Sequence, residues 1–105
     1  MPHEFLGYPR ADGSAGVRNR LLVLSILGLT TGAARRIALQ LPDALLVTMP
    51  HGRGQFGEDR AMMRRMLAGL GRNPNAAAVL LVGADRLRLV AVAEAIAAGG
   101  TPVET

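Results

Sequence analysis

Three short, almost unbroken apolar runs set the terms for what this chain can fold into: residues 21–26 (LLVLSI), 44–49 (ALLVTM) and 78–82 (AVLLV). Each is too short for a buried helix, and none alternates apolar with polar residues as a strand with one wet face would. They read as strands covered on both faces. Between them lie stretches with helical spacing. Ala34, Ile37, Ala38 and Leu41 share one face of a segment capped by Thr30 or Thr31 and stopped by Pro42-Asp43. Met62, Met66, Leu67 and Leu70 share a face of a second segment, which opens on Glu58 and Asp59 and stops at Gly71 and Asn73-Pro74-Asn75. A third runs from an Asp85 cap to about residue 98, where Gly99-Gly100 closes it and residues 102–104 begin a fourth strand. Strand and helix alternate three times. That rhythm predicts an α/β fold: a three-layer Rossmann-like or flavodoxin-like unit, with a parallel sheet of three or four strands and helices on both faces.

The 105 residues allow one domain, with residues 1–20 as an extended arm broken by turns, one at Asp12-Gly13, and residues 21–105 as the α/β body. Half the residues are hydrophobic, enough for a core. No apolar run approaches the roughly 18 residues a bilayer span requires. The first residues, MPHEF, lack a basic-then-apolar leader, so the expected location is the cytoplasm. The absence of cysteine removes disulfides, thiolate ligands and thiol nucleophiles. All 12 basic residues are arginine, which excludes a Schiff-base or phosphate-loop lysine. The net charge of +4 suits anionic ligands. Nucleic acid is a poor fit, because the arginines are dispersed and the three aromatics, Phe5, Tyr8 and Phe56, do not interleave with them.

In an open parallel sheet, ligands bind beyond the carboxyl ends of the strands. Three loops leave those ends. The first, residues 25–32, carries Ser25, Thr30 and Thr31 among glycines; its hydroxyls and helix-start amides suit an anion, although it is neither a dinucleotide fingerprint nor a phosphate loop. The second, residues 51–59, is the densest polar cluster. His51 directly follows a strand and is placed to act as a general base or a metal ligand; Arg53 suits a bidentate carboxylate, and Gly54 lets the backbone approach a ligand. The third, residues 83–86, centres on Asp85, read first as a helix cap. His3 lies in the arm and reads as a surface residue. No paired carboxylates and no His/carboxylate set at metal spacing appear.

Phe5, Gly7, Tyr8, Arg10, Asp12, Gly13, Gly16, Arg18 and Asn19 form a spaced pattern that resembles the start of the large catalytic region of the altronate dehydratase, galactarate dehydratase and sulfolactate sulfo-lyase family. The likeness continues through residues 32–38, His51 with Gly54, Gly57 and Asp59, residues 69–75 with 79–83, and residues 93–97 with 102–104. It implies the first part of a longer protein that eliminates water or sulfite from a hydroxy carboxylic acid. It also implies a divalent metal, iron or manganese, and a small carboxylate ligand. The likeness and the loop reading together make His51 the catalytic candidate; Gly54, which shares the likeness, and Arg53, Ser25, Thr30 and Thr31, from the loops at the strand ends, are the substrate-binding ones, and metal ligands stay unassigned. The chain departs from the family where cysteines are common: Leu29 in the first loop, Gln55 after Gly54, and the short turn from Gly83 to Asp85. The alternative is a non-catalytic acid-binding or assembly module of the same descent. Its partner would be a second copy, through an open sheet edge, or the remainder of a longer family protein.

Overall fold

The computed structural model describes residues 4–49 and 57–105. The arm opens with β1 (Tyr8–Pro9) and β2 (Ala15–Gly16), a two-residue antiparallel pair. The body follows as β3 (Arg20–Ser25), a 3-10 turn (Gly28–Thr30), α1 (Thr31–Leu39), β4 (Leu45–Thr48), α2 (Gly57–Gly71), β5 (Ala76–Val82), α3 (Arg86–Ala97) and β6 (Val103–Glu104). The three apolar runs are the three long strands, and the fourth expected strand is present.

The four body strands form one parallel sheet in the order β4-β3-β5-β6. The chain therefore steps one way from β3 to β4, then reverses to reach β5 and β6. Right-handed crossovers make such a reversal change faces, and the packing agrees. Leu22 and Leu24 of β3 stand in register with Val79 and Leu81 of β5, and all four join a core with Leu67 of α2 and Val92 and Ile96 of α3. Val23, on the opposite side of β3, is fully buried apart from that core, as is Ala34 of α1, the helix that packs on β3 and β4. The expected three-layer, flavodoxin-like unit is what forms.

The arm carries more structure than an extended segment with turns. Asp12-Gly13 is the tip of its hairpin. Gly13 has φ +88°, a left-handed conformation in which a side chain would be strained, and the Arg10 amide donates to the Ser14 carbonyl. Ser14 donates to the Asp12 carboxylate through its hydroxyl and its amide, and both bonds hold that carboxyl below the usual carboxylate range. The hairpin then docks on the turn between α2 and β5. Arg10 donates from Nε to the Pro74 carbonyl at 2.6 Å and from its terminal nitrogens to Asn19 and the Arg18 carbonyl. The Asn75 side chain accepts the Val17 and Arg18 amides at 2.9 and 3.1 Å. Gly16 lies against the Pro74 carbonyl so closely that any Cβ would collide with it. Because Asn75 leads directly into β5, the whole assembly sits at the amino ends of the strands.

Candidate functional site

The opposite, carboxyl ends of the strands are joined by ladder bonds that continue past the sheet. The Ile26 amide donates to the Val82 carbonyl at 3.1 Å and the Met49 amide to the Ser25 carbonyl at 3.2 Å. Between β3 and β5 the strand order reverses: the chain leaves β3 toward α1 on one face and β5 toward α3 on the other. Such a switch point opens a crevice between the two loops. Here it is a cleft of about 120 Å³ lined by Leu27, Ala84, Asp85 and Arg88.

Two of the expected site residues meet in the first loop. Ser25 is fully buried. Its hydroxyl lies 2.9 Å from that of Thr30 and 2.9 Å from the Leu27 carbonyl; Thr30 Oγ1 also reaches the Leu27 carbonyl at 2.9 Å and the Val82 carbonyl at 3.3 Å. Two hydroxyl protons thus serve a closed ring of acceptors that ties the β3 loop to the end of β5. Thr30 precedes α1 but does not cap it with its side chain. The cap expected of Thr30 or Thr31 fails because the 3-10 turn intervenes and draws the Thr30 hydroxyl back to Leu27. Thr31 is the half-buried first residue of α1. His51, Arg53 and Gly54, together with His3, lie outside the described residues.

The third loop matches its expected role closely. Asp85 accepts the Leu87 and Arg88 amides at 3.0 and 3.4 Å, satisfying two of the open donors at the start of α3. Its other oxygen lies 3.5 Å from Arg88 Nε. Gly83 permits this tight exit from β5: a Cβ there would press within 2.9 Å of Ile26 and 3.1 Å of Leu89. Glu58 and Asp59 occupy the exposed first turn of α2, as their helix-start reading required.

One feature escaped the sequence reading. Arg60 and Arg64 of α2 converge with Arg88 of α3 on a narrow groove over Ile26, with Met63, Leu67 and Val92 as its apolar walls and about 20 Å³ of free volume, room for one small polar atom. The signal was the helical spacing of residues 60, 63, 64 and 67, which places two arginines on the stripe that faces α3. Only the shared face of α2 and α3 brings Arg88 to the same place.

Among the described residues, which include neither histidine, no three His, Asp or Glu side chains come together. Among the same residues no helix is long and apolar enough to cross a membrane.

The family model for the second domain of D-galactarate dehydratase/altronate hydrolase matches residues 7–105. The chain is 40% identical over 100 residues to the (2R)-sulfolactate sulfo-lyase subunit beta of Chromohalobacter salexigens, covering 95% of this chain and 26% of that protein. It is 37% identical over 86 residues to the altronate dehydratase of Escherichia coli, covering 72% of this chain and 17% of that enzyme. The altronate dehydratase of Bacillus subtilis is 29% identical over 89 residues, covering 75% and 18%. The chain thus spans about a quarter or less of the length of these relatives. No solved structure matches it with significance.

Proposed function

This chain belongs to the D-galactarate dehydratase/altronate hydrolase family, and from that premise we propose that it is the substrate-facing α/β domain of a sugar-acid lyase. The reaction is β-elimination of water or sulfite from a hydroxy carboxylic acid. The observation that carries this reading is the crevice at the switch point of the sheet, lined by Leu27, Ala84, Asp85 and Arg88 at the start of α3, where a small organic anion is expected to lodge.

In the proposed reaction His51 takes the proton from the carbon beside the carboxylate. The electron pair of that C–H bond forms the new C=C bond as the C–O or C–S bond on the neighbouring carbon breaks. The leaving group departs with the bonding pair, as sulfite or, after protonation, as water, and the enol produced by dehydration tautomerises to a keto acid. Arg53 pairs with the carboxylate and stabilises the charge that develops on it. Gly54 gives the ligand access to backbone. Ser25 and Thr30 hold the first loop in shape through their shared hydroxyl ring, and Thr31 presents the first amides of α1.

Calorimetry with altronate, galactarate and sulfolactate tests this reading. Binding to the wild type that is lost in the His51→Ala, Arg53→Ala double variant supports it; equal binding by both proteins sinks it. The lack of any cysteine favours a second reading, an acid-binding or assembly module that no longer catalyses. That module would bind the acid in the same calorimetry yet release no keto acid or sulfite.

A further inference from the structure

The groove between α2 and α3 has an unusual charge pattern. The stripe that packs these helices together is apolar toward the amino ends of the strands, with Leu67, Val92 and Ile96 fully or nearly fully buried. Toward the carboxyl ends the same stripe becomes Arg60, Arg64 and Arg88. Arg60 and Arg64 stand one turn apart on α2, a spacing at which like charges oppose each other. Neither makes an ion pair with any described residue, although Glu58 and Asp59 are near in sequence. Arg86 and Arg88 lie in the first turn of α3, where the helix dipole is positive and favours anions over cations. The carboxylate beside this cluster is Asp85, 3.5 Å from Arg88. Three arginine side chains therefore line one groove beside the Asp85 carboxylate, at the edge of the sheet where ligands of such folds sit.

We propose that Arg60, Arg64 and Arg88 form a subsite for the charged end group, carboxylate or sulfonate, of an acid carrying two negative charges. The proposal rests on the hydroxy-acid reading above and adds a preference to it. One carboxylate is needed beside the reacting carbon; this groove takes the second anionic group, so doubly charged acids bind more tightly than singly charged ones. The groove's small free volume admits an oxygen of such a group rather than a sugar-acid chain, and planar guanidinium forks match carboxylate and sulfonate oxygens in pairs.

The test uses the 105-residue chain labelled with 15N-arginine, titrated at fixed ionic strength with galactarate, sulfolactate, altronate and inorganic sulfate. Galactarate and sulfolactate are expected to shift the Nε–H resonances of Arg60, Arg64 and Arg88 and to bind about tenfold more tightly than altronate, the size of one charge-assisted bond pair. The Arg60→Gln, Arg64→Gln variant is expected to lose that preference while altronate affinity stays within about twofold; glutamine matches arginine in helix propensity, so the fold is preserved. Acid binding that leaves the three resonances in place, or a preference that survives the double substitution, overturns the subsite and leaves the lyase reading standing. Sulfate shifting the three resonances while no acid binds keeps the anion groove and sinks the hydroxy-acid reading instead. No shift with any of the four anions overturns the subsite outright.

Discussion

Gly71→Ala is the sharpest probe of how α2 and α3 are held together, and with them the arginine groove. Gly71 is the buried last residue of α2. A Cβ built there runs into Ile96 of α3: it collides with Cδ1 and lies 2.6 Å from Cγ1 and 2.9 Å from Cγ2. Ile96 is fully buried and β-branched, so rotation about its first torsion only exchanges one clashing carbon for another. Forcing a methyl into such a site costs roughly 1–3 kcal/mol. Against this, alanine is the better helix former by about 1 kcal/mol at an interior position, and by less at a helix end. The net expectation is a loss of about 1–2 kcal/mol, a drop in Tm of roughly 4–15 °C for a domain of this size. Ile96→Val removes the nearest carbon and costs about 0.5–1.5 kcal/mol alone. If the steric account is right, the double variant falls short of the summed costs by at least about 0.5 kcal/mol. Urea unfolding followed by circular dichroism measures all three. A Gly71→Ala protein as stable as the wild type, or strictly additive costs, refutes the reasoning.

Three further outcomes follow from the same geometry. Asp85→Ala removes the side-chain cap of α3 and is expected to cost about 1 kcal/mol in thermal unfolding, while Asp85→Asn, which can still accept the Leu87 and Arg88 amides, costs less. The Asp12 carboxyl is depressed in the folded state by its bonds from Ser14, so its contribution to hairpin stability is present above the ordinary carboxylate pKa and fades as pH falls through the lowered value; Ser14→Ala moves its NMR titration midpoint upward. The open edge of β4, with Leu45 nearly half exposed, predicts self-association that Leu45→Lys suppresses, and a strictly monomeric mass by light scattering at high wild-type concentration contradicts it.

The elements that were legible in the sequence are those whose signal is local. Continuous apolar runs announce buried strands because both faces of β3 and β5 are covered, and Asp85 announces its helix because a cap needs only the next three residues. β5 begins at Ala76, two residues before its expected start, since Ala76 and Ala77 join a ladder that propensity alone does not reveal. Of the β1–β2 hairpin only the Asp12-Gly13 turn was legible, because two-residue strands carry no periodicity and are held by partners about 60 residues away in sequence, at Pro74 and Asn75. The arginine groove was hidden for a related reason: that Arg88 meets Arg60 and Arg64 depends on the sheet order, which places α2 and α3 on one face.

The residues that carry the family likeness most densely do their work far from the proposed chemistry. Arg10, Asp12, Gly13 and Gly16 shape the hairpin and dock it on Pro74, while Asn75 accepts the amides that follow. All lie at the amino ends of the strands; Ser25, Thr30, Asp85 and the arginine groove lie at the carboxyl ends. The likeness in the arm therefore identifies the scaffold, and activity has to be argued from the other end. The two ends are separable by experiment. Asn75→Ala deletes two hydrogen bonds at an exposed position where water partly replaces them, a loss of about 1 kcal/mol or somewhat more. Hydrogen exchange at the Val17 and Arg18 amides is expected to accelerate severalfold, and the affinity for galactarate or sulfolactate to stay within about twofold of wild type. If acid binding falls with the arm, the hairpin is coupled to the ligand edge through β3 and β5, and the separation of scaffold from site is wrong.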